Sequence, residues 1–293
     1  METPQLTIAR CMKDRNLPVA LVRDDRRCDG RLHTHEFSEI VIVLAGVGFH
    51  VTPHSEYPIA RGDAFLIQAG RAHGYRVPRR LSLANVLFDQ AALGIPLNDL
   101  TTMPGYHALF TLAPIHRRVE ERLRLDAAQL ARASALLDAF EREAEARAPG
   151  YVLLTASLFL QIVVHLSRCY AEADAPAMRP MLGVGRAIGF LESRAGGPVT
   201  LGQLARVASM SKSSLLREFR RATGRSPIDY HLRLRIGRAC ELLRCGDRAV
   251  AEIASDVGFA DPGYFSRRFR VAMGMSPREY RRREAALKSG RAG

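Results

Sequence analysis

Apolar positions in the first hundred residues come in short β-branched runs separated by glycines. Glu39-Ile-Val-Ile-Val-Leu44 is followed by Gly46-Val-Gly48, read as a turn, and then by Gly48-Phe-His-Val-Thr52. Arg61-Gly62-Asp63 is a second turn, Ala64-Phe-Leu-Ile-Gln68 leads to Gly70, and Leu81 to Phe88 closes the series. Short runs punctuated this way between about Arg31 and Asp89 predict a small β-barrel or sandwich. From Asp126 the period becomes helical. Asp126 and Gln129 form a capping pair, and Leu130, Ala133, Leu137, Phe140 and Ala144 recur on one face until Ala148-Pro149-Gly150. A second helix is predicted over Tyr151–Tyr170. It is apolar round more than one face, so it needs a partner beyond the barrel: the preceding helix or a second copy of the chain. Thr155, Ser157, Gln161, His165 and Arg168 interrupt it, which favours a buried helix over a membrane span. Ala171-Glu-Ala-Asp-Ala-Pro-Ala-Met-Arg-Pro180 reads as a linker.

The last third repeats itself. Phe219-Arg-Arg-Ala-Thr-Gly224-Arg-Ser226-Pro227-Ile-Asp-Tyr230 recurs as Phe269-Arg-Val-Ala-Met-Gly274-Met-Ser276-Pro277-Arg-Glu-Tyr280, 50 residues on. Upstream, Leu204-Ala205 matches Ile253-Ala254 at an offset of 49. Each copy reads as a short helix, a turn and a second helix. In the first copy Leu215, Phe219 and Ala222 share one face, leaving Ser213, Ser214, Arg217, Arg220 and Arg221 for solvent or a ligand. In the second, Phe265, Phe269 and Ala272 take the buried face, leaving Gly263, Tyr264, Arg267 and Arg268 outside. A helix over about Ile228–Arg244 lies between, with Leu232, Ile236, Cys240 and Leu243 at helical spacing.

Charge sharpens this picture. The chain of 293 residues has a net charge of +13. Residues 183–293 hold 22 Lys/Arg against 10 Asp/Glu, whereas the other 182 residues hold 21 against 20. The excess coincides with the repeat and implies a polyanionic partner, because cations that neutralise phosphates release condensed counterions. Two helix-turn-helix copies on such a segment point to double-stranded DNA. Cys11, Cys28, Cys169, Cys240 and Cys245 form no Cys-x-x-Cys, and the N-terminus has no apolar signal core. A reduced, cytoplasmic protein is expected.

The run Ala251-Glu-Ile253-Ala254-Ser-Asp-Val-Gly258-Phe259-Ala-Asp261-Pro-Gly-Tyr264-Phe265-Ser266-Arg267-Arg-Phe269, with Gly274-Met-Ser276-Pro277 and Tyr280, resembles the signature of the arabinose/xylose-regulator family of bacterial transcription factors. The resemblance covers about residues 185–283. It implies a seven-helix domain with two helix-turn-helix motifs, whose base-facing positions are Ser213 and Arg217, then Pro262, Gly263 and Arg267. Gly263 departs from the polar residue common in relatives, so the second motif is expected mainly to hold phosphate.

In the first half, His33-Thr-His35-Glu-Phe-Ser-Glu39 followed by Gly46 has the spacing H-x-H-x3-E-x6-G, and Gly62 with Gly70-Arg-Ala-His73 gives G-x7-G-x2-H. His33, His35, Glu39 and His73 form a ligand set for Zn, Fe, Mn or Ni if adjacent strands converge. The pattern resembles the cupin motif pair, with Gln68 and Val77 as departures. Three readings stay open: a catalytic metal centre, a metal in a sensing pocket, or a polar wall that binds a small effector. Residues 28–90 are also similar to the sensing domain of sugar-responsive members of the family, the rhamnose regulators most of all, which implies a monosaccharide effector.

The resulting expectation is an α+β multidomain chain: a cupin-like β-domain over 1–115, a helical dimerisation and signal-passing segment over 116–171, a linker over 172–182, and a double helix-turn-helix domain over 183–293. It is read as a non-enzymatic activator of carbohydrate-utilisation genes that works as a homodimer with RNA polymerase and does not enter a membrane. A same-fold regulator of a non-sugar signal and a metal-dependent cupin enzyme are the alternatives.

Overall fold

The structure, a computed structural model, describes residues 4–11, 17–89, 92–93, 99–112, 122–173, 176 and 178–289. It divides into two compact units, Met1–Gly185 and Arg186–Gly293.

The first unit is β-rich. After β1 (Gln5–Leu6) and the short α1 (Ile8–Cys11) come β2 (Val19–Arg26), β3 (Gly30–His35), β4 (Ser38–Thr52), β5 (Ser55–Ala60), β6 (Asp63–Ile67), β7 (His73–Arg76) and β8 (Leu81–Phe88). A short α2 (Pro104–Tyr106) precedes β9 (Leu123–Arg124). The predicted turn at Gly46–Gly48 does not exist. β4 runs through it as one bent strand whose first half pairs with β6 and β8 and whose second half pairs with β5 and β7. The bend is a bulge, with a register shift between Val43 and Ala45. Gly46 sits at φ +85°, and a Cβ there would lie 2.1 Å from the Arg80 carbonyl. A bulge redirects a strand without ending it, and here it carries β4 across two sheets so that they enclose one interior. Val41, Val43, Ile59, Ile67, Tyr75, Val77, Leu81 and Leu83 fill part of that interior.

Strand β2 was not anticipated. Its Arg23-Asp24-Asp25-Arg26 half looks like a loop, yet it pairs in full with β8 as an outer strand. Two of its charges are used outward: Arg23 binds Asp138 and Glu141, and Asp25 binds Arg80, while Arg26 pairs with Asp24 and lies 5.0 Å over the Tyr75 ring.

The helices α3 (Ala127–Ala146) and α4 (Tyr151–Glu172) match the periodicity. Asp126 and Gln129 make the reciprocal capping box, and Leu130, Ala133, Leu137 and Phe140 are buried. Helix α4 is long and apolar enough to cross a membrane, but it packs on α3 and buries Thr155 and Ser167 with Phe159, Ile162, Val163 and Leu166, as a core helix does. Leu153 and Leu154 remain exposed. The stretch read as a linker is helical from Arg179 onward, in α5 (Arg179–Ser193).

The second unit is helical: α6 (Leu201–Ala208), α7 (Lys212–Thr223), α8 (Pro227–Arg244), α9 (Val250–Asp256), α10 (Pro262–Met273) and α11 (Pro277–Ser289). Leu215, Phe219 and Ala222 are buried on α7, and Phe265 and Phe269 on α10. Ala272 is half-buried against the same core as Ile236, Cys240 and Leu243 of α8. Gly224 and Gly274, at φ +73° and +75°, end α7 and α10 in the left-handed conformation that glycine adopts without a Cβ penalty.

Candidate functional site

Two places in the molecule concentrate chemistry. The first is the interior of the barrel. Side chains alternate along a strand, so Glu39 shares the inward face of β4 with Val41 and Val43. His33 pairs with His73 across β3 and β7, which puts His33, His35, His73 and Tyr75 on neighbouring inward positions. The structure brings three of the four predicted residues into one cluster: ligand atoms of His35, Glu39 and His73 lie within 4.8 Å of one another, all buried. His33 flanks the cluster, its ring 4.3 Å from that of His73.

Each histidine of the set has its Nδ1 facing a main-chain carbonyl: His35 that of Phe37 at 2.5 Å, His33 that of Arg31 at 3.1 Å and His73 that of Arg71 at 3.4 Å. A carbonyl only accepts, so Nδ1 carries the proton and Nε2 offers its lone pair to the interior. Glu39 Oε2 lies 3.2 Å from His35 Nε2 and 3.7 Å from His73 Nε2, yet neither nitrogen makes a hydrogen bond. This donor set fits a divalent transition metal, which His35, Glu39 and His73 would hold.

Two further residues join them that the sequence did not single out. His50 lies opposite Tyr75 in the β4–β7 pairing, its ring 5.8 Å from those of both His73 and Tyr75. His50 Nε2 and Tyr75 Oη are buried without partners, as is Asn85 Oδ1 on β8. Burial pushes the His50 imidazole down to about 4, helped by Arg122, and the His73 imidazole down to about 2, helped by its three neighbouring histidines. Burial, with the charge of Glu39, raises the Tyr75 phenol well above its ordinary value. His50 and Tyr75 therefore present neutral groups at neutral pH. A cleft of about 230 Å³ beside His50 and His73 leads past Thr52, Gln68 and Arg71.

The second place is the pair of helix-turn-helix units, α6–α7 and α9–α10. Ser211 caps α7 by accepting from Ser214 N, and Asp261 caps α10 by accepting from Gly263 N and Tyr264 N. Ser213, Arg217, Arg220 and Arg221 are exposed on α7, while Ser214 is half-buried within the serine cap. Glu218 holds Arg217 at 3.0 Å and Arg221 at 2.9 Å. On α10, Gly263, Tyr264 and Arg267 are exposed, but Arg268 is half-buried with its Nε cut off from solvent. A repeated clamp accompanies the two copies. Arg186 donates to the carbonyls of Val207 and Ala208, and Arg235 to those of Val257 and Gly258, so each guanidinium closes the end of the first helix of one unit. Arg235 follows Arg186 by 49 residues, the same offset that relates Leu204 to Ile253, so the signal was present in the sequence.

A small β-barrel with a polar, ligand-ready interior, joined to two helix-turn-helix units on a basic surface, defines an effector-responsive DNA-binding regulator. The helix-turn-helix domain family matches residues 204–283, and the AraC-like ligand binding domain family matches residues 23–163. The chain is 32% identical over 250 residues to the HTH-type transcriptional activator RhaR of Salmonella heidelberg (strain SL476), covering 85% of this chain and 86% of that protein. It is 30% identical over the same shares to RhaR of Escherichia coli O1:K1 / APEC. A solved AraC-type DNA-binding domain-containing regulator from Chromobacterium violaceum is 28% identical over 35% of this chain and 92% of that one, with a TM-score of 0.34. This chain belongs to the AraC family of helix-turn-helix transcription regulators. It is a DNA-binding regulator with a small-molecule effector domain, and its family membership places it outside the enzymes.

Proposed function

We propose that the barrel senses a monosaccharide and that the chain, in the cytoplasm, activates carbohydrate-utilisation genes in response. The observation that carries this reading is the set of buried, unpartnered polar atoms in one interior: His35 Nε2, His50 Nε2, His73 Nε2, Tyr75 Oη and Asn85 Oδ1. Each such group costs about 1–3 kcal/mol when it is left unsatisfied, so a core would not retain five without an occupant. Neutral donors and acceptors suit hydroxyls. The cleft volume lies below the about 300–1,000 Å³ typical of drug-sized ligands, which suits a single sugar ring. His33, His35, Glu39 and His73 are assigned to contact with the effector, directly or through a metal.

On the DNA side, Ser213 and Arg217 are assigned to base edges, Arg220 and Arg221 to phosphates, and Gly263, Tyr264, Arg267 and Arg268 to a second, mainly phosphate-holding contact. Exposed Leu153 and Leu154, with half-buried Leu160 and Val164, support a homodimer through α4. Such a dimer pairs two DNA-binding units at a repeated operator and positions RNA polymerase beside it. The test is differential melting of the purified chain against a panel of aldopentoses, aldohexoses and 6-deoxyhexoses, followed by operator binding with the hit. At least one sugar is expected to raise the melting temperature and change operator affinity. A panel without any hit contradicts the monosaccharide reading.

A further inference from the structure

We infer that the effector of this barrel is an acidic monosaccharide, a uronate or an aldonate, whose carboxylate is taken by Arg71 at the mouth of the cleft while neutral groups deeper in the cleft take its hydroxyls. The inference deepens the sensor reading above and rests on it: it names the class of sugar and the residue that selects it.

The first ground is the charge of the cleft wall. The described residues that line it include Arg71 and the imidazoles of His50, His54 and His73, and none of them is Asp or Glu. The buried carboxylate of Glu39 stands 3.7 Å from His73 Nε2 and is not part of the lining. A second cation backs the same wall. The Arg122 guanidinium sits 5.1 Å from the centroid of the Tyr57 ring and 5.6 Å from that of Phe65, and those two rings flank His50 at 6.4 and 5.1 Å. A cleft walled by one sign of charge concentrates ligands of the other sign. A neutral aldose makes no use of that field, whereas a sugar that carries a carboxylate does.

The second ground is the placement of Arg71. It ends a tight turn in which its own N–H donates to the Gln68 carbonyl at 3.2 Å and Gly70, at φ +76°, donates to the His35 carbonyl at 2.7 Å. The Arg71 carbonyl in turn faces His73 Nδ1 at 3.4 Å. The root of the arginine is thus tied to two histidines of the motif. Its guanidinium is exposed and has no ion pair or hydrogen bond among the described residues, whereas Arg76 and Arg80 of the same barrel are held by Glu56 and Asp25. A guanidinium matches a carboxylate with two parallel N–H···O bonds. A phosphate ester brings up to two negative charges, more than one guanidinium compensates, and adds bulk that a cleft of about 230 Å³ does not favour. His50 Nε2, buried without a partner, and the Gln68 amide lie in the same cleft and suit hydroxyls.

The test uses the full chain and matched pairs: D-glucuronate with D-glucose, D-galacturonate with D-galactose and D-gluconate with D-glucitol, with D-glucose 6-phosphate as the phosphate ester. One acid is expected to raise the melting temperature. Isothermal titration should give it at least about 10-fold tighter binding than its neutral partner, the gain expected of charge-assisted hydrogen bonds to one carboxylate. The neutral partner keeps the contacts to its hydroxyls and still binds. Arg71→Gln, at an exposed position, should leave the melting temperature of the free chain unchanged. It should bring the acid down to the affinity of its neutral partner and leave the neutral partner's affinity as it was. Arg79→Gln, which removes an exposed arginine outside the cleft, should keep the full preference for the acid. A neutral sugar that binds wild type as tightly as every acid does overturns the inference and leaves the sensor reading standing. A preference that survives in Arg71→Gln, an equal loss in Arg79→Gln, or tighter binding of the phosphate ester than of any acid has the same consequence. A chain that responds to no sugar, acidic or neutral, overturns both.

Discussion

The two helix-turn-helix units share one scaffold and differ at the tip of the second helix. In both, two phenylalanines or a leucine and a phenylalanine anchor that helix, glycine ends it, and an arginine from the preceding helix clamps the turn: Arg186 for one copy, Arg235 for the other. At the N-terminus they part. Helix α7 begins with the neutral cap Ser211 and carries Ser213 and Arg217, whereas α10 begins with the anion Asp261 and carries Gly263. The Asp261 carboxylate also lies 3.8 Å from the guanidinium of Arg267. One copy thus presents donors suited to base edges. The other presents a glycine and a carboxylate at the corresponding helix start, the position that the proposed assignment gives to base contacts. The difference teaches that a duplicated fold keeps what holds it together, and on the proposed assignment it divides the labour of recognition.

That comparison predicts equal structural effects and unequal recognition effects. The largest effect should be structural and shared: Phe219→Ala and Phe269→Ala, both fully buried, should each cost about 3–5 kcal/mol by urea unfolding. A loss confined to one copy would show that the two cores are not equivalent. Next, Arg186→Met and Arg235→Met each remove two charge-assisted hydrogen bonds to helix-end carbonyls, and should cost about 1.5–3 kcal/mol apiece. Loss of DNA affinity without loss of stability would move these arginines from the scaffold to the interface. The smallest effect is expected of Asp261→Asn, which keeps the cap but removes a charge beside Arg267. DNA binding should tighten by about 2- to 5-fold at low salt and return to the wild-type value at high salt, because screening erases the difference. Weaker binding at low salt would show that the carboxylate itself serves recognition.

The helical unit was largely legible because its information is periodic and occurs twice: the spacing of Phe219 and Phe269, the two helix-ending glycines and the basic excess all agree. The barrel was legible only up to the bulge in β4. His33, His35, Glu39 and His73 stood out as a motif, but His50 did not, because Gly46–Gly48 reads as the end of a strand. In the structure the strand continues, and the extra residue shifts its phase, so that inward positions are odd at Glu39, Val41 and Val43 and even at His50. Tyr75 belongs to no motif in the sequence, and only its buried, unpartnered hydroxyl sets it apart. Strand β2 was hidden for the opposite reason: Arg23, Asp24, Asp25 and Arg26 suggest solvent, and the partners of Arg23 and Asp25, on α3 and at Arg80, lie more than fifty residues away.

The division of labour between α7 and α10 is tested most directly by selecting bound sequences from a randomised operator library with the wild-type chain, Arg217→Ala and Arg267→Ala side by side. Arg217 and Arg267 are similarly exposed, at 69% and 72% of their side chains, so exposure alone does not separate them. Arg217→Ala should lose discrimination at one or two base pairs in one half of the operator, at about 1–3 kcal/mol for the favoured base. Arg267→Ala should keep the wild-type preference and bind every sequence more weakly. The account is contradicted if Arg267→Ala changes the selected sequence while Arg217→Ala lowers affinity uniformly.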